Sequence, residues 1–248
     1  MTTKIEWTNE TWNPVTGCTK ISTGCRNCYA ERMAKRLAGR YGYLPWPYEF
    51  DVTFHKEKES QPFRWKKPRM VFVCSMGDLF HEGIPGAYIT NLFEIMAINK
   101  QHTFQVLTKR PRRMLDVLYG EEGFWYLGGG DFIPNVWLGV TAENQETADE
   151  RIPLLLQATG FTKFASVEPM LEGVMLDGYL FQELAPQTLD WVICGGETGH
   201  GARPMKAEWA IDLHRQCKDA GVPFFFKKPG DAFEGDVSSL PTAREYPK

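Results

Sequence analysis

The sequence lacks the features that mark several large classes of protein. Its first residues contain no apolar core of a signal peptide, and no run approaches the roughly 20 apolar residues that cross a membrane. The 28 basic and 31 acidic residues leave a net charge of −3, so no global positive charge requires a polyanionic partner. Histidine is scarce, with 5 in 248 residues and none before His55. We therefore expect a cytoplasmic globular protein whose basic sites are local.

Six cysteines are present, and in a reducing compartment they do not form a disulfide framework by default. Cys74, Cys194 and Cys217 lie singly, far apart in the sequence. The other three are Cys18, Cys25 and Cys28, spaced C-x6-C-x2-C in a Gly-, Ser- and Thr-rich loop directly before a predicted helix. Thiolates from one loop can converge on a soft metal centre, and a helix N-terminus favours their ionised form. The pattern predicts a metal site.

The number of cysteines bears on which metal is bound. A structural zinc ion normally takes four ligands, so zinc would need His55, His81 or a distant cysteine in addition. A four-iron cluster held by three thiolates leaves one iron open to an outside ligand, which makes it a reactive centre. We favour the 4Fe–4S cluster and keep zinc as the alternative.

Short apolar stretches recur at a spacing of 27 to 33 residues along most of the chain. They predict strands at 71–73, 104–107, 136–140, 164–167, 191–193 and 223–226, with a short first strand near 5–7. Helical patterns fill the gaps at 29–40, 84–100, 111–118, 145–157 and 207–220. Apolar strands joined by crossover helices indicate a parallel α/β sheet. We favour a single parallel β/α barrel, complete or incomplete, of six to seven βα units over a doubly wound open sheet.

Two stretches interrupt this rhythm. Residues 41–69 are rich in aromatic side chains, proline and charge, and residues 121–131 contain three consecutive glycines. Both are predicted to be insertions on a barrel domain that covers 1–230, either as substrate lids or contacts or as ordinary surface elaboration. Residues 231–248 are polar and predict a loosely packed tail.

Polar residues and glycines follow each predicted strand. They include Ser75, Asp78, Lys109, Arg110, Glu143, Asn144, Glu168, Gly195, Gly196, Glu197 and Lys227. Strand ends of a β/α barrel meet at one rim, where the active sites of this architecture are built. Caps and turns explain many such residues singly, but lysine and glutamate at successive strand ends favour an enzyme.

These motifs together resemble the phage-associated family of three-Cys-motif proteins, whose sequences look like members of the radical S-adenosylmethionine (SAM) superfamily. The resemblance covers almost the whole chain. It rests on residues 12–14 (WNP), 17–18 (GC), 24–31 (GCRNCYAE), 75–81 (SMGDLFH), 107–111 (LTKRP), 137–140 (WLGV), 143–144 (EN), 168–169 (EP), 195–197 (GGE), 202–204 (ARP) and 225–227 (FFK).

The resemblance implies that Cys18, Cys25 and Cys28 hold a 4Fe–4S cluster and that SAM occupies the open iron. Reduction by an external, flavodoxin-like donor would then release a 5′-deoxyadenosyl radical. The implied SAM contacts are Ser75, Asp78, Lys109, Glu143, Asn144, Glu168, Gly195, Gly196 and Glu197. The superfamily's usual first cysteine gap is three residues rather than six. The superfamily's Gly-Gly-Glu segment usually follows the second strand, whereas residues 195–197 follow a late strand here. Ser75 and Asp78 occupy the usual place and are therefore alternative candidates for the SAM contact made by that segment.

Two local basic clusters favour a nucleic acid or nucleotide as substrate. Their members are Arg64, Trp65, Lys66, Lys67 and Arg69 in one case, and Lys109, Arg110, Arg112 and Arg113 in the other. Basic side chains beside an aromatic ring suit a phosphate backbone with a stacked base. The alternative interpretation is that these residues are ordinary solvated surface charges. Arg64, Trp65, Lys66, Lys67, Arg110 and Lys227 are the predicted substrate contacts.

The reaction predicted for such a substrate is lyase-like repair of a DNA photoproduct, with spore photoproduct lyase as the precedent, or a base modification. A cysteine would return hydrogen to the product, and Cys74 and Cys194 at strand ends are the candidates. A buried cysteine at such a place is also commonly a small apolar residue. The alternative function is a zinc-stapled, non-catalytic protein that binds nucleic acid or mediates a phage–host interaction. If a phage encodes the chain, the host cytoplasm is its expected location.

Overall fold

The structure is a computed structural model that describes residues 3, 5–120, 123, 133–184 and 187–247. The chain forms two compact units. The first contains Met1–Ile21, Cys28–Leu138 and Ala158–Phe161, and the second contains Ser22–Asn27, Gly139–Gln157 and Thr162–Lys248. No helix in the described part of the chain is long and apolar enough to cross a membrane.

The first unit carries the early βα units. Its elements are β1 (Glu10–Trp12), β2 (Val15–Thr16), α1 (Tyr29–Leu37), β3 (Thr53–Phe54), α2 (Lys56–Glu59), β4 (Met70–Val73), α3 (Gly86–Ile98), β5 (Thr103–Thr108) and α4 (Pro111–Tyr119). Strand β4 lies between β1 and β5 and pairs in parallel with both, with Val71 opposite Glu10 and Phe104. The short strands β2 and β3 pair antiparallel. The helices and strands enclose an apolar core in which Trp12 and Phe104 approach to 5.8 Å between ring centroids.

Strand β6 (Val136–Thr141) begins in the first unit and ends in the second. The second unit continues with α5 (Gln145–Leu156), β7 (Thr162–Val167), α6 (Asp177–Leu180), β8 (Trp191–Gly195), β9 (Met205–Lys206), α7 (Ala207–Ala220), β10 (Phe224–Lys228) and β11 (Phe233–Glu234). Every residue of β8 is buried, as expected for a strand covered on both faces. Helix α7 ends at Gly221, whose φ of 69° is the left-handed value that glycine tolerates best.

The strands of the main sheet follow one another in the order β1-β4-β5-β6-β7-β8-β10. The pairs with defined register, β1–β4, β4–β5, β7–β8 and β8–β10, are parallel. A doubly wound sheet reverses its strand order at a switch point, whereas a β/α barrel adds strands in chain order. The predicted parallel α/β architecture of successive βα units is therefore confirmed, and the doubly wound alternative is wrong.

One predicted strand lies at a different place in the chain. The first strand is Glu10–Trp12 rather than 5–7, because Trp7 is buried against Phe72 from a turn in which the Thr8 amide donates to the Ile5 carbonyl. Residues 41–69, predicted as an insertion, contain β3 and α2. Of the insertion predicted at 121–131, only residue 123 lies among the described residues.

The segment predicted as a loose tail is part of the second unit and pairs with its strands. Strand β11 pairs in parallel with β9, and Phe225 of β10 forms a bridge with Arg244. The indole nitrogen of Trp191 donates to the Glu245 carbonyl at 2.8 Å. Most side chains of this segment are polar and exposed, which is why the composition predicts a loose tail although the backbone is paired.

Candidate functional site

Residues 17–28, called the cysteine segment below, carry the three clustered cysteines. Cys18 and Cys28 belong to the first unit and Cys25 to the second. All three side chains are half-buried, and none forms a disulfide. Cys25 ends a short 3-10 turn, and Cys28 directly precedes α1 at its N-cap.

Backbone contacts in the first unit fix the position of Cys18. Gly17 forms a parallel bridge with Gly77, just beyond the carboxyl end of β4, and its φ is 89°. A Cβ on Gly17 would lie 2.2 Å from the Asp51 carbonyl oxygen, so no larger residue fits there. The amide of Cys18 donates to the Phe50 carbonyl at 3.1 Å. The Cys18 end of the segment is therefore held at the carboxyl end of the sheet.

Arg110 brings a buried positive charge to the Cys18 sulfur. It follows β5, is 5% exposed, and donates from Nη1 to Cys18 Sγ at 3.4 Å. Its other donors reach Asp78 Oδ2 at 3.1 Å, the Glu82 carboxylate at 2.9 and 3.0 Å, and Thr19 Oγ1 at 2.9 Å. Burial alone would lower the pKa of Arg110, but Asp78 and Cys18 outweigh it and raise that pKa. The guanidinium stays charged and favours a thiolate at Cys18.

Asp78 orients Arg110. Its Oδ1 accepts from Thr108 Oγ1 at 2.7 Å, and its Oδ2 accepts from the Lys109 amide and from Arg110, each at 3.1 Å. These partners, together with the Phe80 amide at 3.0 Å, supply hydrogen bonds to both carboxylate oxygens. A direct contact with SAM, which the sequence suggested for Asp78, would compete with them. Ser75, the other predicted contact beside β4, donates to Asn13 Oδ1 at 3.2 Å.

The two histidines that a zinc site would recruit are engaged within the first unit. His81 accepts at Nδ1 from the Gly83 amide at 3.0 Å, and its Nε2 lies 2.9 Å from Thr19 Oγ1. Burial and then Arg110 lower the pKa of His81. The Nε2 of His55 lies 2.8 Å from Thr16 Oγ1, and burial lowers the pKa of His55. Both rings therefore favour the neutral form.

In the second unit, Glu143 holds the middle of the cysteine segment. This residue follows β6 and has no exposed surface. Its Oε1 accepts from Ser22 Oγ at 2.6 Å, and its Oε2 accepts from Arg151 Nη1 at 2.9 Å. Ser22 Oγ also lies 3.6 Å from Cys25 Sγ, so one hydroxyl joins the carboxylate to the thiol. A Cβ on Gly24 would lie 2.3 Å from Glu143 Oε1, so the turn fits over the carboxylate only with glycine.

Glu197 holds the end of the segment that precedes Cys28. It follows β8 and accepts from Asn27 Nδ2 at 2.8 Å, and from the amide and Nε of Arg203, both at 2.9 Å. Burial alone would raise the pKa of Glu197, but the hydrogen bonds from Arg203 and Asn27 lower it to about 2. The carboxylate is ionised near neutral pH and fixes Asn27 between Cys25 and Cys28.

Three further predicted cofactor contacts have identifiable local roles. A Cβ on Gly196 would lie 2.0 Å from the Pro229 carbonyl oxygen, so this glycine allows two backbones to pass. Glu168, directly after β7, pairs at 2.5 Å with Nζ of Lys227, which lies within β10. Asn144 caps α5 through the Thr147 amide at 3.0 Å, which gives it a structural role at the strand end.

Cys74 and Cys194 are fully buried at strand ends. Burial raises the pKa of the Cys74 thiol to about 12 and also raises the pKa of the Cys194 thiol, where Glu168 adds to the effect. Cys74 has a φ of 54°, and Cys194 Sγ lies 3.6 Å from Met170 Sδ. Both sulfurs therefore remain protonated near neutral pH, which is the form a hydrogen donor requires.

The basic cluster around Trp65 lies elsewhere. Arg64, Lys66 and Lys67 are exposed and precede β4, so they lie at the amino ends of the strands. Trp65 packs edge-on against His102 and under Arg69, each at 5.4 Å. The structure therefore does not bring these four predicted substrate contacts to the carboxyl ends, because the chain enters β4 directly after them.

Several residues of the site were not predicted. They are Thr19, Ser22, Asn27, Arg151 and Arg203. Two of them could have been found in the sequence. Arg203 belongs to the motif at residues 202–204, and Asn27 lies between two of the clustered cysteines. Arg151 lies on one face of α5, and its pairing with Glu143 had no signal in the sequence.

A family model described as "Protein of unknown function (DUF5131)" matches residues 2–244. No curated protein and no solved structure matches the chain.

Proposed function

We propose that this chain, which belongs to the DUF5131 family, is a radical SAM enzyme whose Cys18, Cys25 and Cys28 hold a 4Fe–4S cluster. The observation that supports the proposal is the attachment of the cysteine segment to charged residues directly after strands. Arg110 follows β5 and contacts Cys18 in the first unit. In the second unit, Glu143 follows β6 and Glu197 follows β8, and they hold Ser22 and Asn27. Sites of parallel α/β proteins are built at these carboxyl ends.

The donor set suits such a cluster. Three half-buried thiols are present in one short segment, and one open iron would remain for the amino and carboxylate groups of SAM. Among the residues that the structure describes, no group of three or more His, Cys, Asp or Glu side chains is arranged to hold a metal ion. The support therefore comes from the chemistry and spacing of the thiols, together with the buried cation at Cys18.

Held by Cys18, Cys25 and Cys28, the cluster together with SAM would supply radical chemistry toward a substrate. The residues of the chain then have three tasks. Arg110 stabilises the thiolate form of Cys18, while Glu143 and Glu197 fix the loop that carries Cys25. Cys74 and Cys194 each keep a proton on sulfur, as a hydrogen donor must. The buried surroundings of these thiols exclude water.

We further propose a nucleic acid or nucleotide as the substrate, and repair of a DNA photoproduct or modification of a base as the reaction. The first electron would come from a flavodoxin-like donor in the cytoplasm. The positive charges at the carboxyl ends that support a phosphate-bearing substrate are those of Arg110 and Lys227, but both have carboxylate partners. Because these carboxylates neutralise both charges, the exposed basic and aromatic residues of α1 and of residues 41–48 give this substrate class its stronger support.

Metal analysis tests the cluster directly. After anaerobic reconstitution, the wild-type protein is expected to carry about four iron and four sulfide ions and to be brown. Cys18→Ala, Cys25→Ala and Cys28→Ala should each lose most of the iron, whereas Cys217→Ala, which alters a buried thiol on α7, should keep it. A wild-type protein with one zinc ion and no iron would overturn the proposal and support the zinc-stapled, non-catalytic alternative.

A further inference from the structure

We propose that α1 and residues 41–48 of the first unit form a surface that binds single-stranded nucleic acid. We call it the aromatic–basic surface, and its members are Tyr29, Arg32, Lys35, Arg36, Tyr41, Trp46 and Tyr48. The binding itself does not depend on the iron–sulfur cluster. Only the statement that the bound strand is the substrate rests on the proposed function.

Large aromatic side chains are exposed on this surface. Trp46 is 78% exposed, Tyr41 79%, Tyr29 58% and Tyr48 57%. Aromatic rings usually contribute most of their area to a core, so four exposed rings within twenty residues indicate a binding surface. Because the exposed apolar groups of this surface are flat aromatic rings, they favour a partner whose own rings can stack on them.

Positive charge accompanies the rings. Between residues 20 and 48 the sequence contains six basic residues and one acidic residue, Glu31, although the whole chain has a net charge of −3. Lys20 and Lys35 pair with Glu31 at 2.8 and 3.1 Å, and Lys35 remains 58% exposed. Lys35 and Arg36 lie on the exposed part of α1, whose buried side is formed by Ala30 and Ala34. The surplus of positive charge favours a polyanion.

The loop that directly follows the helix is closed by its own backbone hydrogen bonds. The Gly39 amide donates to the Leu44 carbonyl and the Tyr43 amide to the Arg40 carbonyl, each at 3.0 Å. Tyr43 is buried and packs 6.3 Å from His55, so it anchors the loop. Tyr29 directly follows Cys28, which places the start of this surface next to a proposed cluster ligand. The rings therefore belong to an ordered surface rather than to a loose segment.

These features select a single strand among polyanions. Bases of a single strand are unstacked and can lie on aromatic rings, while basic side chains follow the phosphates. Bases inside a duplex do not offer their faces. The cluster around Trp65 lacks this capacity, because Arg69 and His102 already contact that ring.

Fluorescence anisotropy with labelled oligothymidine, oligouridine and a duplex tests the inference on the full chain. The wild-type protein should bind the single strands more tightly than the duplex, and the two single strands show whether the sugar matters. Trp46→Ala should weaken binding about tenfold, and Trp46→Phe should retain most of it. Lys35→Ala with Arg36→Ala should lower the slope of log Kd against log salt by about 1.4, at about 0.7 per phosphate contact on a single strand.

Matched controls come from the exposed residues that precede β4. Lys66→Ala with Lys67→Ala also removes two adjacent exposed positive charges, and Phe63→Ala also removes an exposed ring, of 54% exposure. Neither control should change the affinity appreciably. Equal weakening by the controls, tighter binding of the duplex, or Trp46-dependent binding of an acidic peptide instead of an oligonucleotide would overturn the inference.

The two proposals fail in different ways. A protein that holds iron and cleaves SAM but binds no oligonucleotide would overturn the aromatic–basic surface and leave the proposed function intact. A protein that binds single strands through Trp46 but holds no iron would overturn the proposed function and support the surface. Circular dichroism of each variant confirms that the comparison is between folded proteins.

Discussion

Glu197→Gln should make the protein less stable at neutral pH and remove part of its sensitivity to acid. The pKa of Glu197 falls from 4.5 to about 2 because of Arg203 and Asn27, although burial opposes the change. At about 1.36 kcal/mol per pKa unit, the ionised carboxylate contributes on the order of 3 kcal/mol to stability. Because the folded-state pKa is lowered, this contribution is complete above pH 4.5 and is lost as the pH falls towards 2.

Urea unfolding of the wild type and the variant between pH 2 and pH 7 measures this contribution. At pH 7 the variant should be less stable by about 3 kcal/mol, and the difference should narrow as the wild-type carboxylate is protonated. The loss of a charged acceptor for Asn27 should also speed cleavage by trypsin after Arg26, an exposed residue of the same segment. Glu208→Gln is the control, because Glu208 is exposed and lies 3.9 Å from Lys206. Equal stability at pH 7, or a difference that persists unchanged to pH 2, would refute the reasoning.

Two further predictions concern Glu143. Gly24→Ala should reduce the iron retained after reconstitution severalfold, because the new Cβ would lie 2.3 Å from the Glu143 carboxylate. Gly178→Ala is the control and should retain the wild-type amount of iron, because no atom lies within 4 Å of its new Cβ. Arg151→Met should lower the free energy of unfolding by about 3 kcal/mol, since it leaves a fully buried carboxylate without its cationic partner. Adding Glu143→Gln to that variant should recover part of the loss in a thermal unfolding experiment, and no recovery would show that Arg151 acts through packing alone.

The architecture was largely predictable because it follows local patterns. The strands at 71–73, 104–107 and 191–193 are short runs of mostly buried side chains. A periodic face and the stop at Gly221 predict helix α7 at its observed bounds. The first strand is Glu10–Trp12 and not the predicted 5–7, because the apolar residues around the buried Trp7 give the sequence pattern of a strand although their backbone forms a turn. Two-residue strands such as β2 depend on their partners and leave no period to read.

The candidate site was predictable only in part, for reasons of distance along the chain. The type and spacing of Cys18, Cys25 and Cys28 are visible in the sequence. The pairing of Asn27 with Glu197 joins residues 170 positions apart, and that of Ser22 with Glu143 joins residues 121 positions apart. Composition identified Trp65 with its basic neighbours as a binding cluster, but Arg69 and His102 contact that ring in the folded chain.

The measurement that tests the central claim most directly is the formation of 5′-deoxyadenosine from SAM by the reconstituted, reduced protein, followed by mass spectrometry. The proposal predicts that the wild type forms 5′-deoxyadenosine and methionine and that Cys25→Ala, tested in parallel, forms neither. Wild-type protein that is loaded with iron and reduced, yet leaves SAM intact, would contradict it.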